Sequence, residues 1–361
     1  MIKSAYIHIP FCNTICNYCD FCKVYYDKKY INSYLNSLKQ EIESRYNDEL
    51  LDTIYIGGGT PTSLDLNELE KLLQILTTFN INKTIEYTIE SNIESLTIDK
   101  IKLLKRYGIN RVSLGVQSFN DKILKELNRH HDKNMVFKVV KNLKDNGITN
   151  INIDLIYGVN NDINNIKNEI KEFLKLDIPH ISCYSLIIED NTIFGNNNRE
   201  YINESIEYEM YEIIRNTLNN NNYNHYEISN YAKDNYQSIH NLTYWNNEYY
   251  YGFGLGAVSF IDNNRIQNTK NLTKYLNKEY IYETNYENKK TRMENELILG
   301  LRKIEGINIS NFNKKYNENI YDIFPIERLI KEQKITIKED NIFIPENNLY
   351  LSNEILLEFI S

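Results

Sequence analysis

Cysteines are concentrated near the start of the chain. Cys12, Cys16, Cys19 and Cys22 lie within one eleven-residue run, and Cys183 is the only other cysteine among the 361 residues. The first three have the spacing CxxxCxxC, which lets three thiolates on one short loop reach three corners of an iron-sulfur cubane. The fourth iron is then left without a protein ligand and is open to a small molecule. The run is therefore predicted to hold a 4Fe-4S cluster with one reactive iron.

Two other interpretations of the cysteines are weaker. Structural zinc usually draws on two separated cysteine pairs, and no second pair follows here. Disulfides need an oxidising compartment, whereas residues 1–11 lack the basic region, long apolar stretch and cleavage site of a signal peptide. We therefore expect a cytoplasmic protein whose cysteine loop binds a metal.

Composition narrows the classes of function. The net charge is -8, which argues against a nucleic-acid partner because phosphate binding needs a concentrated basic surface. No apolar run approaches the length of a membrane span. A chain of 361 residues can bury a large core, so we expect one large domain with a smaller appendage.

Hydrophobic periodicity predicts strands and helices in alternation. The predicted strands are Ala5–Ile9, Thr53–Ile56, Thr84–Ile89, Arg111–Val116, Asn150–Ile156 and Ile181–Leu186. The predicted helices between them are Lys29–Tyr46, Leu66–Thr77, Ile98–Tyr107, Asp132–Asp145 and Ile163–Lys175. This alternation indicates an α/β fold with a parallel sheet, either doubly wound or curled into a barrel.

The distribution of unusual residues favours the barrel, because parallel barrels place their chemistry at the carboxyl ends of the strands. The cysteine loop follows the first strand, and a Gly57-Gly58-Gly59-Thr60 run follows the second. The later strands end near polar residues, namely Glu90, Asn92, Gln117, Ser118, Arg129 and Asp154. The glycine run has two interpretations, a tight turn or a place where a ligand approaches bare backbone. We predict a partial barrel with the cluster at its rim.

These motifs together carry a family resemblance. The segments YIHIPFC, CxxxCxYC, GGGTPT, GINRVSLGVQSF and IDLIYG occur in an order and spacing similar to those of the radical S-adenosylmethionine (radical SAM) superfamily, in its oxygen-independent coproporphyrinogen III oxidase-like group. The resemblance runs from about residue 4 to the chain end. It implies a partial (β/α)6 barrel of the TIM type with a small, mainly helical, winged-helix-like C-terminal domain. The implied divisions are a radical SAM core at 1–235, a haem-motif segment and connecting region at 236–290, and the small domain at 291–361.

The resemblance also implies residue roles. Cys12, Cys16 and Cys19 would bind the cluster, and Cys22 would not, since the family pattern needs three ligands. S-adenosylmethionine would chelate the open iron and be cleaved to a 5'-deoxyadenosyl radical. Its expected neighbours are Tyr6, Gly58, Gly59, Thr60, Glu90, Gln117, Arg129 and Asp154. A purely structural ion pair between Asp154 and Arg129 is the alternative for those two residues.

Two functions within this group remain open. One is oxidative decarboxylation of two coproporphyrinogen III propionates to vinyl groups, and the other is haem delivery by HemW-type haem chaperones. Asp20-Phe21 after the third cysteine, the short N-terminal segment and the sequence HNLTYW at 240–245 resemble the chaperones. The implied haem-binding residues are His240, Asn241, Tyr244 and Trp245.

The chaperone resemblance implies several partners. These are haem, haem-receiving proteins such as respiratory-chain components, and an electron donor to the cluster, while a homodimer is left open. Three positions depart from the family pattern: Ile93 and Asn160 replace prolines, and Val258 replaces a histidine. If that histidine contributes to haem binding, affinity is reduced here. A radical enzyme with an unknown substrate also stays open, because the residues expected around S-adenosylmethionine are intact.

Overall fold

A computed structural model describes residues 1–360. Its main sheet contains six parallel strands in chain order, and helical crossovers connect them. We label these strands β1 to β6: Ser4–Ile9, Leu51–Gly58, Ile81–Asn92, Arg111–Gln117, Asn150–Tyr157 and His180–Ser185. The predicted α/β fold with a partial barrel is confirmed.

The crossover helices lie close to their predicted positions. They are Lys28–Arg45, Leu66–Leu76, Ile98–Arg106, Lys133–Asp145 and Ile163–Leu176, with a short helix Asp121–Glu126 before the fourth. Asp65 caps the second helix by accepting from the Glu68 backbone N–H, and the Glu68 side chain accepts in return from the Asp65 N–H. Such capping boxes satisfy backbone donors that the first helical turn leaves free.

Further strands extend the sheet at both edges. Tyr251–Phe253 pairs in parallel with β1, and a hairpin of Asn224–Glu227 and Asn230–Ala232 pairs antiparallel with β6. The hairpin follows helices Ile193–Asn196 and Glu204–Asn219. The two edges of the sheet are not joined, so the barrel is open along one side.

The inner face of the barrel is polar. Successive side chains of a strand point to opposite faces, and in β1 to β6 the apolar set packs under the helices. Ile7, Ile54, Val112 and Ile153 are fully buried in that outer layer. The alternate residues line the interior, among them Tyr6, His8, Thr53, Tyr55, Glu86, Thr88, Glu90, Arg111, Ser113, Asn152, Asp154, His180 and Ser182.

The rest of the chain forms smaller units. A three-stranded sheet contains Val258–Ile261, Asn264–Asn268 and Ile281–Tyr286, with helix Leu272–Leu276 between the last two. The C-terminal part has helices Lys289–Gly300, Ile309–Tyr316, Ile320–Ile323, Ile326–Lys331 and Ser352–Leu357 around strands Ile307–Asn308, Thr336–Lys338 and Asn341–Phe343. No helix within residues 1–360 is long and apolar enough to cross a membrane.

Candidate functional site

The cysteine loop leaves the carboxyl end of β1 and is held in place by backbone contacts. The segments Phe11–Cys12 and Val24–Tyr25 pair in parallel and close the base of the loop. Near its tip, the Asn128 side chain donates to the Ile15 carbonyl at 2.8 Å, and the Asn17 side chain donates to the Glu126 carbonyl at 2.7 Å. The loop is therefore fixed against the turn that follows β4.

Three of the loop cysteines form one electrostatic group. All five cysteines of the chain carry free thiols. The charges of Cys16 and Cys19 both raise the pKa of Cys12, after the larger effect of burial. Within residues 1–360 no group of three His, Cys, Asp or Glu side chains converges on one metal ion. A cubane needs a different arrangement, because each thiolate binds a separate iron.

Cys22 is placed differently. Its carbonyl is hydrogen-bonded to Nε2 of His8 at 2.7 Å, and its sulfur packs against Gly256. A Cβ at Gly256 would lie 2.9 Å from that sulfur, so the glycine allows this close contact. Burial raises the pKa of Cys22, which Lys270 and Lys23 lower, and no other thiol contributes to it. This environment supports the prediction that Cys22 is not a cluster ligand.

The glycine run packs directly against the cysteine loop. Gly58 has a φ of +114°, and a Cβ there would lie 2.6 Å from the His8 ring. A Cβ at Gly59 would lie 2.9 Å from the sulfur of Cys12. The next residue, Thr60, is 3.7 Å from the same sulfur through its hydroxyl. The groups that approach the glycine backbone closely in this structure are therefore the His8 ring and the Cys12 sulfur, and a side chain at either glycine would collide with them.

Two carboxylates lie on the inner face near the rim. Glu90 accepts from the Tyr55 hydroxyl at 2.8 Å and from the Gly58 N–H at 3.1 Å. Burial, with the nearby Asp154 charge, raises the pKa of Glu90 to about 7. Asp154 accepts from the Asn152 amide at 2.9 Å, and burial raises its pKa as well. A cation bound between these groups would favour their charged forms.

Arg129 reaches into the same region from behind the cysteine loop. Its guanidinium donates to the Asn92 side chain at 2.8 Å and to the Gly115 carbonyl at 2.6 Å, and it lies 3.6 Å from the sulfur of Cys16. Its ion-pair partner is Glu94, at 3.6 Å. Within residues 1–360 no ion pair joins Arg129 to Asp154, so the structural pairing considered for those two residues is not present.

Gln117 and Tyr6 complete the set expected around S-adenosylmethionine. Gln117 is buried at a bulge in the pairing of β4 with β5, and its φ of +67° is unusual for a residue with a side chain. Tyr6 lies on the inner face, where its hydroxyl is 3.0 Å from Nδ1 of His8. The strand ends therefore bring Gly58, Glu90, Gln117 and Asp154 to the carboxyl end of the barrel, and Tyr6 lies deeper on the inner face.

The HNLTYW motif lies at the opposite end of the barrel. It forms the helix Ile239–Trp245, which packs beneath the amino ends of the strands. Glu86 of β3 caps this helix by accepting from the backbone N–H groups of Ile239 at 2.9 Å and His240 at 3.0 Å. The Thr243 hydroxyl also lies 2.9 Å from that of Ser4. The helix therefore closes the floor of the barrel.

His240 is 1 % exposed and has no free ring nitrogen. Its Nδ1 is 2.8 Å from the Thr53 hydroxyl, and its Nε2 is 2.8 Å from the Tyr244 hydroxyl. The ring stacks on Tyr55 with centroids 5.1 Å apart, and burial lowers the pKa of His240 to about 3. In this arrangement His240 is not free to bind a haem iron, because both ring nitrogens are hydrogen-bonded inside the protein.

The other three residues expected to bind haem, Asn241, Tyr244 and Trp245, are half-buried. The Nε1 atom of Trp245 is sealed from solvent without a partner, and the Arg302 guanidinium lies 5.8 Å from its ring. Asn241 forms part of the first helical turn. Val258, which replaces the family histidine, begins the strand Val258–Ile261.

The sequence analysis missed most residues of the barrel interior, among them Tyr55, Glu86 and Arg111. Tyr55 joins the two ends of the barrel, because its hydroxyl donates to Glu90 while its ring stacks on His240. The sequence signal that could have identified them is the alternation of polar and apolar residues along the strands. Polar residues recur at every second position of strands that are otherwise strongly apolar, which is typical of a polar interior.

Comparison with known proteins agrees with this geometry. Residues 6–174 match the family model described as the radical SAM superfamily. The heme chaperone HemW of Lactococcus lactis is 41% identical over 329 residues, covering 87% of this chain and 85% of that protein. HemW of Bacillus subtilis is 38% identical, covering 90% of this chain and 89% of that protein. The chain belongs to the radical SAM superfamily, in the HemW family.

A solved radical SAM structure has the same fold. Coproporphyrinogen III oxidase (HemN) from Escherichia coli superimposes with a TM-score of 0.88, covering 99% of this chain and 90% of that one at 22% identity. At that identity the likeness concerns the fold alone.

Membership of the radical SAM superfamily implies a 4Fe-4S cluster and S-adenosylmethionine as cofactors. The residues present fit both. Cys12, Cys16 and Cys19 would hold the cluster through three thiols on one anchored loop, and Glu90 and Asp154 would offer carboxyl oxygens to the amine N–H groups of S-adenosylmethionine. When bound, the pair supplies one-electron chemistry at the rim of the barrel.

The pKa of Glu90 leads to a test of this assignment. A carboxyl group with a pKa of about 7 is protonated below that pH and accepts hydrogen bonds less well, so affinity for the amine N–H groups of S-adenosylmethionine should rise as the pH increases through 7. We expect S-adenosylmethionine to bind about tenfold more weakly near pH 6 than near pH 8, measured by equilibrium dialysis on the reconstituted protein. Glu90→Gln should bind weakly with little pH dependence, and an unchanged pH profile in that variant would contradict the assignment.

Proposed function

We propose that this protein is a haem chaperone that binds haem and delivers it to recipient proteins. The observation that carries the proposal is similarity to chaperones named HemW along nearly the whole chain, with 85% and 89% of those proteins covered. The Asp20-Phe21 pair after Cys19 and the HNLTYW sequence support the same function.

The proposal assigns residue roles at the rim. Cys12, Cys16 and Cys19 hold the cluster, and S-adenosylmethionine lies against residues of the strand ends, namely Tyr6, Gly58, Gly59, Thr60, Glu90, Gln117, Arg129 and Asp154. An electron donor, cytoplasmic recipient proteins such as respiratory-chain components, and a homodimer belong to this proposal.

The haem contacts need a more careful assignment. His240, Asn241, Tyr244 and Trp245 were expected to bind haem, but His240 is enclosed between Thr53, Tyr55 and Tyr244. We therefore propose that the motif closes the barrel floor, and that iron ligation by His240 would require this helix to leave its place.

The alternative function is oxygen-independent oxidation of coproporphyrinogen III. The observation in its favour is the likeness of the whole fold to the Escherichia coli oxidase, at a TM-score of 0.88. The oxidases resemble the pattern CxxxCxxCxC, in which a fourth cysteine stands two residues after the third. In this chain Asp20 and Phe21 follow Cys19 instead.

Two parallel assays separate the functions. The anaerobically reconstituted protein is titrated with haemin by absorbance and incubated separately with coproporphyrinogen III, S-adenosylmethionine and a reductant. Saturation near one haemin per chain with no vinyl product would support the chaperone. Vinyl product without haemin binding would overturn it in favour of the oxidase.

A further inference from the structure

One buried cation in the barrel has no partner. The Arg111 side chain is 2 % exposed on the inner face of β4. Its Nε atom is sealed from solvent and has no hydrogen-bond partner, and no carboxylate within residues 1–360 forms an ion pair with its guanidinium. An unpaired buried charge is costly, and proteins seldom keep one unless something offsets it.

The acidic groups around Arg111 are already engaged elsewhere. Glu90 is held by Tyr55 and Gly58, and Asp154 is held by Asn152. Glu86 accepts from the backbone of the floor helix. The charge of Arg111 lowers the pKa of both Glu90 and Asp154, so the groups are close, but neither carboxylate contacts the guanidinium.

The groups on the floor side cannot offset the charge. His180 and His240 both have lowered pKa values, chiefly through burial and partly through Arg111, and are neutral. The Tyr226 hydroxyl is engaged with Nε2 of His180 at 2.8 Å.

The neighbours of Arg111 in the sheet also have unpaired polar atoms. Thr88 of β3 and Asn150 of β5 are its direct partners in the register of the parallel strands. The Oγ1 of Thr88 and the Oδ1 of Asn150 are both sealed from solvent without a partner. All three side chains lie on the inner face, so three adjacent strands present a guanidinium, a hydroxyl and an amide at one level of the barrel.

We infer that Arg111, Thr88 and Asn150 form a carboxylate-binding subsite in the barrel interior, which takes a propionate group of the bound porphyrin. A guanidinium matches a carboxylate by two parallel hydrogen bonds, the Thr88 hydroxyl donates to another lone pair, and Asn150 donates through its NH2 group, since its Oδ1 only accepts. The identity of the occupant rests on the proposed function. The carboxylate chemistry rests on the unpaired guanidinium Nε of Arg111 and the unpaired hydroxyl of Thr88, which are both hydrogen-bond donors.

Haemin and its dimethyl ester, which lacks free carboxylates, provide the direct test. We expect the wild type to bind haemin about 10- to 100-fold more tightly than the ester. Arg111→Met should lose most of that preference and Arg111→Lys should keep part of it, whereas Arg106→Met on the surface should retain it. If Arg111→Met kept the full preference while folding normally by circular dichroism, the subsite would be overturned.

A second arm is independent of haem. Propionate ion should raise the melting temperature of the wild type relative to chloride at equal ionic strength, and should have no such effect on Arg111→Met. Thr88→Val, which leaves the guanidinium in place, should show a reduced effect. Equal shifts in wild type and Arg111→Met would overturn the subsite, whereas a failure of haemin binding with this propionate effect intact would overturn only the proposed function.

A third experiment tests whether Arg111 binds the carboxylate of S-adenosylmethionine and not a propionate of the porphyrin. We expect Arg111→Met to lose less affinity for S-adenosylmethionine than for haemin. An equal or greater loss would place the guanidinium in the S-adenosylmethionine site and contradict the inference.

Discussion

Cys16→Ser should abolish the cluster, and with it the binding of S-adenosylmethionine. A cubane on three thiolates has no spare ligand, and the Cys16 sulfur lies 3.6 Å from the Arg129 guanidinium. After anaerobic reconstitution we expect iron and sulfide content to fall close to zero, together with the visible thiolate-to-iron absorption.

Cys22→Ser provides the matched control from the same loop. Its sulfur packs against Gly256 and is not coupled to the other thiols. This variant should retain full iron content and S-adenosylmethionine affinity. Loss of the cluster in Cys22→Ser, or its retention in Cys16→Ser, would contradict the three-ligand assignment.

His240→Ala should destabilise the protein without abolishing haemin binding. The substitution removes a fully buried ring, two hydrogen bonds and the stacking contact with Tyr55. We expect the free energy of unfolding to fall by about 2–4 kcal/mol, measured by denaturant titration.

Asn241→Ala on the same helix is the control, because its side chain is only half-buried and should affect stability less. The informative comparison is between stability and the haemin spectrum. A variant of His240 with unchanged stability and a lost haemin spectrum would contradict the role of the motif as the barrel floor.

The barrel itself could be predicted from sequence because its strands and helices each carry a strong period. The helix Lys133–Asp145 and the strand Asn150–Tyr157 begin and end within a few residues of their predicted bounds. The edge strand Tyr251–Phe253 and the hairpin beside β6 could not be predicted in this way, since three or four residues are too few to show a period.

Most of the rim residues, such as Gly58, Glu90 and Gln117, were identifiable because they stand near a strand end beside a distinctive motif. The floor was not. The placement of His240 depends on Glu86 and Thr53, which are separated from it by more than 150 residues in the chain. A motif reading sees a histidine beside two aromatic residues, and such a pattern fits a haem ligand and a packed core equally well.

The central claim is tested most directly by haem transfer. The reconstituted protein, loaded with one equivalent of haem, is mixed with an apo-haemoprotein, and the recipient's activity is followed over time. The account predicts recovery of activity that exceeds the recovery with free haem at the same concentration and that falls in Cys16→Ser. Recovery no faster than with free haem, together with vinyl product from coproporphyrinogen III, would contradict it.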